Sequence, residues 1–223
     1  MRNKFDAEMT KLHTMMIEMG ALCESGITCA VNALLGPDQA NARRAIEIEE
    51  EVDRRERDIE QLCYTLLLRQ QPVAKDLRMI SASVKMITDM ERIGDQVADI
   101  AEIALLGNIR ADGGFDIIKR MSTACIGMVT NSIDAYVNHD TELAYKLIAD
   151  DDIVDGCFDE MKDALSRVIA QNPDMAAGYI DLIMAAKYLE RIADHAVNIA
   201  GWVVFIETNE RYQKGERRED IPG

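Results

Sequence analysis

Two short stretches of the chain are near-copies of one another and carry acids at the same spacing. Glu91-Arg92-Ile93-Gly94-Asp95 and Glu190-Arg191-Ile192-Ala193-Asp194 lie 99 residues apart. Positions i, i+4 and i+8 share one face of a helix, so each stretch predicts a row of oxygen ligands. The first row consists of Glu91, Asp95 and Asp99, and the second of Glu190, Asp194 and Asn198. Because like charges at i and i+4 destabilise a helix by roughly 0.2–0.5 kcal/mol per pair, the duplicated rows indicate a bound cation.

Two further acid pairs at helical spacing precede these rows. Glu49 and Asp53 recur as Asp151 and Asp155 at an offset of 102 residues. Oxygen ligands suit Mg, Mn or iron better than zinc, which favours nitrogen and sulfur. The sequence therefore predicts two clusters that hold one or more metal ions, the alternative being solvated helix faces without metal. The first acidic cluster comprises Glu49, Asp53, Glu91, Asp95 and Asp99, and the second acidic cluster comprises Asp151, Asp155, Glu190, Asp194 and Asn198.

The five cysteines do not predict a metal centre of their own. Their number is odd, they contain no C-x-x-C pair, and they fall among apolar residues at helical spacing. The spacings that thiolate zinc sites require are absent. We therefore expect all five to be reduced residues of the core.

Composition and charge limit the class of protein. The chain has 223 residues, is 48% hydrophobic and carries a formal net charge of -15. Nucleic-acid binders rely on clustered Lys and Arg, so this charge argues against one. No apolar run approaches the roughly 20 residues needed to cross a bilayer, and the amino terminus lacks the apolar region of a signal peptide. We expect a cytoplasmic protein without membrane insertion.

Apolar residues spaced by three and four predict three long helices in each half of the chain. The first covers residues 3–35, the second follows Asp38 as its cap, and the third runs from near Val73 to a stop at Gly107. The second half repeats this plan at offsets of 99 to 102 residues, and residues 108–114 form the linker. Helices this long and thin cannot bury a face alone. The expected fold is all-α, two tandem duplicated three-helix bundles over residues 1–108 and 109–208, with a disordered charged tail over 209–223.

The sequence resembles the PhoU family along nearly its whole length. The most specific motifs are Gln71-Pro72-Val73-Ala74-Lys75-Asp76-Leu77-Arg78, Met90-Glu91-Arg92-Ile93-Gly94-Asp95 and Leu189-Glu190-Arg191-Ile192-Ala193-Asp194. Phe5-Asp6-Ala7-Glu8 and Met19-Gly20 fit less specifically. The resemblance implies two three-helix repeats whose E/D-x-x-x-D motifs hold iron or other metal ions in some members. Asn198 in place of an acid and Ala193 in place of glycine depart from the pattern, and the first departure weakens the second acidic cluster.

The resemblance also implies a regulator without catalysis. Such a protein relays the phosphate-replete state from the ATPase subunit of a phosphate ABC transporter to a sensor histidine kinase, and keeps phosphate-starvation genes off. The sequence shows no glycine-rich phosphate loop and no nucleophile-and-base arrangement that can be placed. The rival is a di-iron carboxylate oxidase or metal-storage bundle, but the Glu-x-x-His pairs of such sites are absent. A metal-free interaction scaffold is the third possibility.

Two surface features complete the expectations. A homodimer would need exposed apolar surface, and Trp202-Val203-Val204-Phe205-Ile206 is the strongest local candidate. Burial of these residues against the first repeat is the alternative. Arg92 and Arg191 each follow the first acid of a row, so we expect them to flank the acids and pair with neighbours such as Asp89 or Asp95. The alternative is that they bind carboxylates of the kinase or the transporter ATPase. His195 should be a polar neighbour of Asp194 and not a ligand.

Overall fold

The computed structural model describes residues 2–36, 38–70, 72–109 and 114–212. This part of the chain is all-α. Its six long helices and one short 3₁₀ turn are, in chain order, α1 Arg2–Leu35, α2 Gln39–Gln70, α3 Ala74–Leu106, α4 Phe115–Asn138, α5 Thr141–Gln171, a turn at Pro173–Met175, and α6 Ala176–Thr208. Each half contributes three helices, as the duplication predicts. None of the described helices is apolar over enough of its length to cross a membrane.

The predicted helix ends are confirmed where local chemistry defines them. Asp38 accepts hydrogen bonds from the backbone N–H groups of Ala40 and Asn41 at 3.1 Å each, which lowers the pKa of its carboxyl. Its repeat counterpart Asp140 accepts from the N–H of Leu143 at 3.0 Å. Gly107 ends α3 in the left-handed region at φ 67°, a conformation that glycine adopts without strain. The expected linker and charged tail are only partly covered, because residues 110–113 and 213–223 lie outside the described residues.

The repeats pack into one body through four helices. Within the first repeat α2 packs against α1 and α3, and within the second α5 packs against α4 and α6. The repeats join through contacts of α3 with α6 and of α1 with α4. The buried apolar side chains consequently form one continuous core that spans both halves. A buried hydrogen bond of 3.0 Å between Ser83 and the hydroxyl of Tyr136 crosses the junction.

The apolar end of α6 belongs to this junction, so the expectation of an exposed dimerisation patch there was wrong. Val203, Val204 and Ile206 are buried, and Trp202 and Phe205 are half-buried with their rings edge to face at 5.8 Å. The Nε of Arg78 on α3 donates to the carbonyl oxygen of Ile206 at 3.0 Å. Burial against the first repeat, the alternative reading, is the one found, because α6 has α3 and α4 on its apolar sides as well as α5.

The expectation of reduced core cysteines is confirmed. All five are free, four are buried and Cys29 is partly exposed. The thiol of Cys23 donates to the carbonyl of Met90 at 3.6 Å, and its counterpart Cys125 donates to that of Leu189 at 3.1 Å. Each carbonyl belongs to the residue that precedes the first acid of a row. The duplicated cysteines therefore tie the start of each acidic row to the first helix of its own repeat.

Candidate metal sites

The first acidic cluster is formed where α2 and α3 lie against each other. Burial raises the pKa of Glu49, and the nearby charges of Asp53 and then Asp95 raise it further. Burial likewise raises the pKa of Glu91, with Asp95 and Asp53 adding to the effect. Acids of two different helices thus repel one another across this contact. The structure brings together four of the five residues predicted for the cluster.

Gly94 is the residue that allows this approach. A Cβ at position 94 would lie 3.2 Å from Cγ1 of Val52 and 3.9 Å from the Cα of Glu49. The absence of a side chain therefore lets the backbone of α3 rest on α2 between the two acid pairs. At the equivalent position of the second repeat the chain carries Ala193, as the departure from the family pattern indicated.

Two residues alter the predicted membership of the first acidic cluster. Glu56, which sequence reasoning missed, lies within electrostatic range of Glu91 and Asp53, and burial raises its pKa. Its position, seven residues after Glu49 and three after Asp53, continues the same helix face and is the signal that would have found it. Asp99 lies at the edge, near Glu102, Asp95 and the second-repeat residue Arg191, and Tyr188 donates a hydrogen bond to it.

Arginines already neutralise part of the first acidic cluster. Arg92 Nη1 lies 3.0 Å from Asp95 Oδ2, and its Nε lies 3.4 Å from Glu91 Oε2. Arg57 lies 3.6 Å from Asp53. The predicted pairing of Arg92 with Asp95 is confirmed. The Arg92 side chain is 55% exposed, so it can leave Asp95 without uncovering buried surface.

The second acidic cluster is built differently. Lys187 pairs with Glu190, and its ammonium lies 5.4 Å from the centroid of the Phe158 ring. The ammonium of Lys162 lies 4.9 Å from the same centroid. Phe158 stands where the first repeat has Glu56, and Lys187 where it has Thr88. An aromatic ring and two ammonium groups therefore occupy a place that holds carboxylates in the first repeat.

The remaining members of the second acidic cluster lie in different environments. Asp151 is buried, and its charge adds to the effect of burial, which is the main cause of the raised pKa of the Cys125 thiol. Asp155 and Asp194 are half-buried on α5 and α6. The amide of Asn198 donates to Asp89 Oδ1 on α3 at 3.0 Å, and Nδ1 of His195 lies 2.9 Å from the same oxygen. Asn198 and His195 thus serve the junction with the first repeat.

The two clusters differ in how well they suit a cation. Across the described residues no three carboxylate, imidazole or thiol groups stand in an arrangement that could share a metal ion. The first acidic cluster nevertheless supplies carboxylates from two facing helices, and burial together with the neighbouring acids raises the pKa of Glu49 and Glu91. Carboxylate oxygens are the donor chemistry of Mg, Mn or iron. The second does not fit, because the Lys187 ammonium takes the position beside Glu190 and Asn198 is engaged with Asp89.

Comparisons with known proteins place the chain among its relatives. Residues 16–104 and 118–203 each match the PhoU domain. The chain belongs to the PhoU family. It is 33% identical over 208 residues to the phosphate-specific transport system accessory protein PhoU homolog of Pseudomonas aeruginosa, covering 91% of this chain and 85% of that protein. The Synechocystis homolog of the same description is 32% identical over 214 residues, with 94% of each chain covered.

The fold is shared with a solved PhoU structure. The crystal structure of PhoU from Pseudomonas aeruginosa superposes with a TM-score of 0.88 at 31% identity, over 92% of this chain and all of that one. The two acidic clusters also fall in different PhoU domain matches. The first acidic cluster lies wholly in the first match and the second wholly in the second. The difference between the clusters is therefore a difference between two PhoU domains of one chain.

Proposed function

We propose that this protein is a non-catalytic regulator of phosphate uptake and phosphate-starvation signalling. It acts in the cytoplasm as a link between the ATPase subunit of a phosphate ABC transporter and a sensor histidine kinase. The observation that carries the proposal is the match of both repeats to the PhoU domain, together with relatives described as accessory proteins of phosphate-specific transport. A homodimer is part of the proposal, but its contact must lie elsewhere than on the buried end of α6.

Affinity capture of the tagged protein from phosphate-replete cells tests the link. We expect recovery of the transporter ATPase and of a histidine kinase, and loss of repression of starvation genes when the gene is deleted. Capture of neither protein, with repression intact in the deletion strain, would refute the regulatory role. Light scattering of the purified protein measures its mass and decides between monomer and homodimer.

We further propose that metal binds at the first acidic cluster and not at the second. Glu49, Asp53, Glu91 and Asp95 would hold the ion, with Glu56 close by, once Arg92 turns outward. The cation would stabilise the charged forms of Glu49 and Glu91, whose pKa values are raised by burial and then by the charges of neighbouring acids. At the second acidic cluster the Lys187 ammonium performs that neutralisation from within the chain.

Metal analysis after loading with Mn²⁺ and dialysis tests this assignment. We expect Asp95→Asn to lose most of the bound metal and its matched control in the second repeat, Asp194→Asn, to retain it. Metal present at 100 times its dissociation constant should stabilise the parent protein by roughly 2.7 kcal/mol over the EDTA-treated sample. Equal metal loss in both variants would show that the second acidic cluster also binds.

A further inference from the structure

A cleft lined by Asp89 contains none of the carboxylates of either acidic cluster, although Asn198 of the second acidic cluster also lines it. It opens between α3, α6 and residues 211–212 that follow α6, and has a volume of about 410 Å³. Small-molecule sites in proteins occupy roughly 300–1,000 Å³, so the cleft has the size of a ligand site. Its outer wall is Tyr212, which folds back onto α6 at Gly201. A Cβ on Gly201 would lie 3.4 Å from Cδ1 of the Tyr212 ring, so the ring packs directly against α6 at this position.

Positive charge predominates in the cleft although the chain as a whole has a net charge of -15. Lys85 on α3 and Arg211 after α6 both line it. Within the part of the chain that the structure describes, neither side chain forms an ion pair. The carboxylate that lines the cleft, Asp89, is already bound by His195 Nδ1 at 2.9 Å and by the Asn198 amide at 3.0 Å. Two cations are therefore available to an anion that enters.

Aromatic rings form the other side of the cleft. Trp202 and Tyr212 both line it, and the guanidinium of Arg211 lies 5.4 Å from the Trp202 ring. Any of the nucleobases can stack on such rings, because each base has a planar π-face. Arginine can stack on the same ring while its N–H groups bind phosphate oxygens in the guanidinium plane. The cleft thus offers a stacking surface and two phosphate-binding cations at neighbouring positions.

We propose that this cleft binds a nucleotide, with its base stacked against Trp202 and Tyr212 and its phosphates bound by Lys85 and Arg211. A phosphate ion alone would leave the aromatic walls uncovered, and an uncharged nucleoside would leave both cations without a partner. The proposal is independent of metal binding at the first acidic cluster and of the regulatory partners. It assigns the junction between the two repeats a ligand of its own.

Trp202 makes the proposal directly measurable, because it is the one tryptophan of the chain. Its fluorescence is followed while the full-length protein, kept in EDTA, is titrated with ADP, adenosine or inorganic phosphate. We expect ADP to change the emission saturably. Adenosine and inorganic phosphate should each bind at least ten-fold more weakly, because each supplies only one of the two kinds of contact. An unchanged emission with millimolar ADP, or inorganic phosphate binding as tightly as ADP, would overturn the proposal.

Matched variants locate the binding. Lys85→Gln and Arg211→Gln should each weaken ADP binding at least ten-fold. Lys146→Gln and Arg167→Gln remove the same charges from exposed positions on α5 and should leave ADP affinity within two-fold of the parent. If the α5 variants weaken binding as much as the cleft variants, ADP is attracted by general charge and the assigned cleft is wrong. Melting curves of all four variants show whether the fold is kept.

Discussion

At the scale of single residues, the chain keeps carboxylates together at a cost in stability. The pKa of Glu49 and that of Glu91 lie above the ordinary value of 4.5, mainly because of burial. A folded state with a raised carboxyl pKa binds more protons than the unfolded state. The stability that protonated Glu49 and Glu91 contribute is fully present below about pH 4.5, and it is lost as pH rises through their raised pKa values. Such positions suit a protein that gains a cation there.

Glu49→Gln should therefore stabilise the metal-free protein at pH 7. Removing the like-charge i,i+4 pair with Asp53 should raise the free energy of unfolding by about 0.2–0.5 kcal/mol, and the difference should vanish toward pH 4. Melting in EDTA across this pH range measures it. Glu47→Gln, an exposed acid on the same helix that pairs with Arg44 at 3.3 Å, is the control and should show no gain. A lower melting temperature for Glu49→Gln at pH 7 would contradict the repulsion.

At the scale of elements, the approach of helices depends on glycines at particular contacts. Gly20 on α1 faces Ile133 on α4, and a Cβ there would lie 2.8 Å from Cγ1 of Ile133. That atom sits on the stiff branch of a β-branched side chain, so it cannot move aside freely. The α1–α4 contact that joins the two repeats is therefore set by the absence of one side chain, as α2 and α3 are set at Gly94.

Gly20→Ala should destabilise the protein, whereas Gly127→Ala on α4 should stabilise it. Overpacking costs about 1–3 kcal/mol, and we expect the cost at Gly20 to exceed the helix-propensity gain of about 1 kcal/mol from replacing glycine. A Cβ at Gly127 meets nothing within 4 Å, so at that position only the helix-propensity gain changes the stability. Urea unfolding of the two variants gives the comparison. Equal stabilisation by both would mean that α1 and α4 are not held as closely as described.

At the scale of the whole molecule, the duplicated halves are not independent units of stability. The core is continuous across them, the end of α6 is buried against α3, and Ser83 bonds to Tyr136 across the junction. Each half in isolation would expose the apolar surfaces of α3 and α1, or of α6 and α4. A three-helix unit with one face open loses a large part of its hydrophobic stabilisation.

We therefore expect that neither half, residues 1–108 or 109–208, unfolds cooperatively when it is produced alone. Mixing the two halves should restore a single unfolding transition. Circular dichroism during heating measures cooperativity, and size-exclusion chromatography measures reassociation. The full-length chain is the reference for both. A sharp transition of 1–108 alone, at the melting temperature of the full chain, would show that the first repeat is a self-sufficient domain.

The sequence by itself determined those features that depend on local or periodic information. Helix spacing, the cap at Asp38, the stop at Gly107 and the duplicated register predicted the all-α fold and its six helices. Tertiary structure decided which side chains meet. The rotation of one helix against another directs Asn198 to Asp89, places Lys187 near the ring of Phe158, adds Glu56 to the first acidic cluster and buries Ile206. Spacing along one helix states which residues share a face, but the neighbour of that face depends on distances and angles between helices.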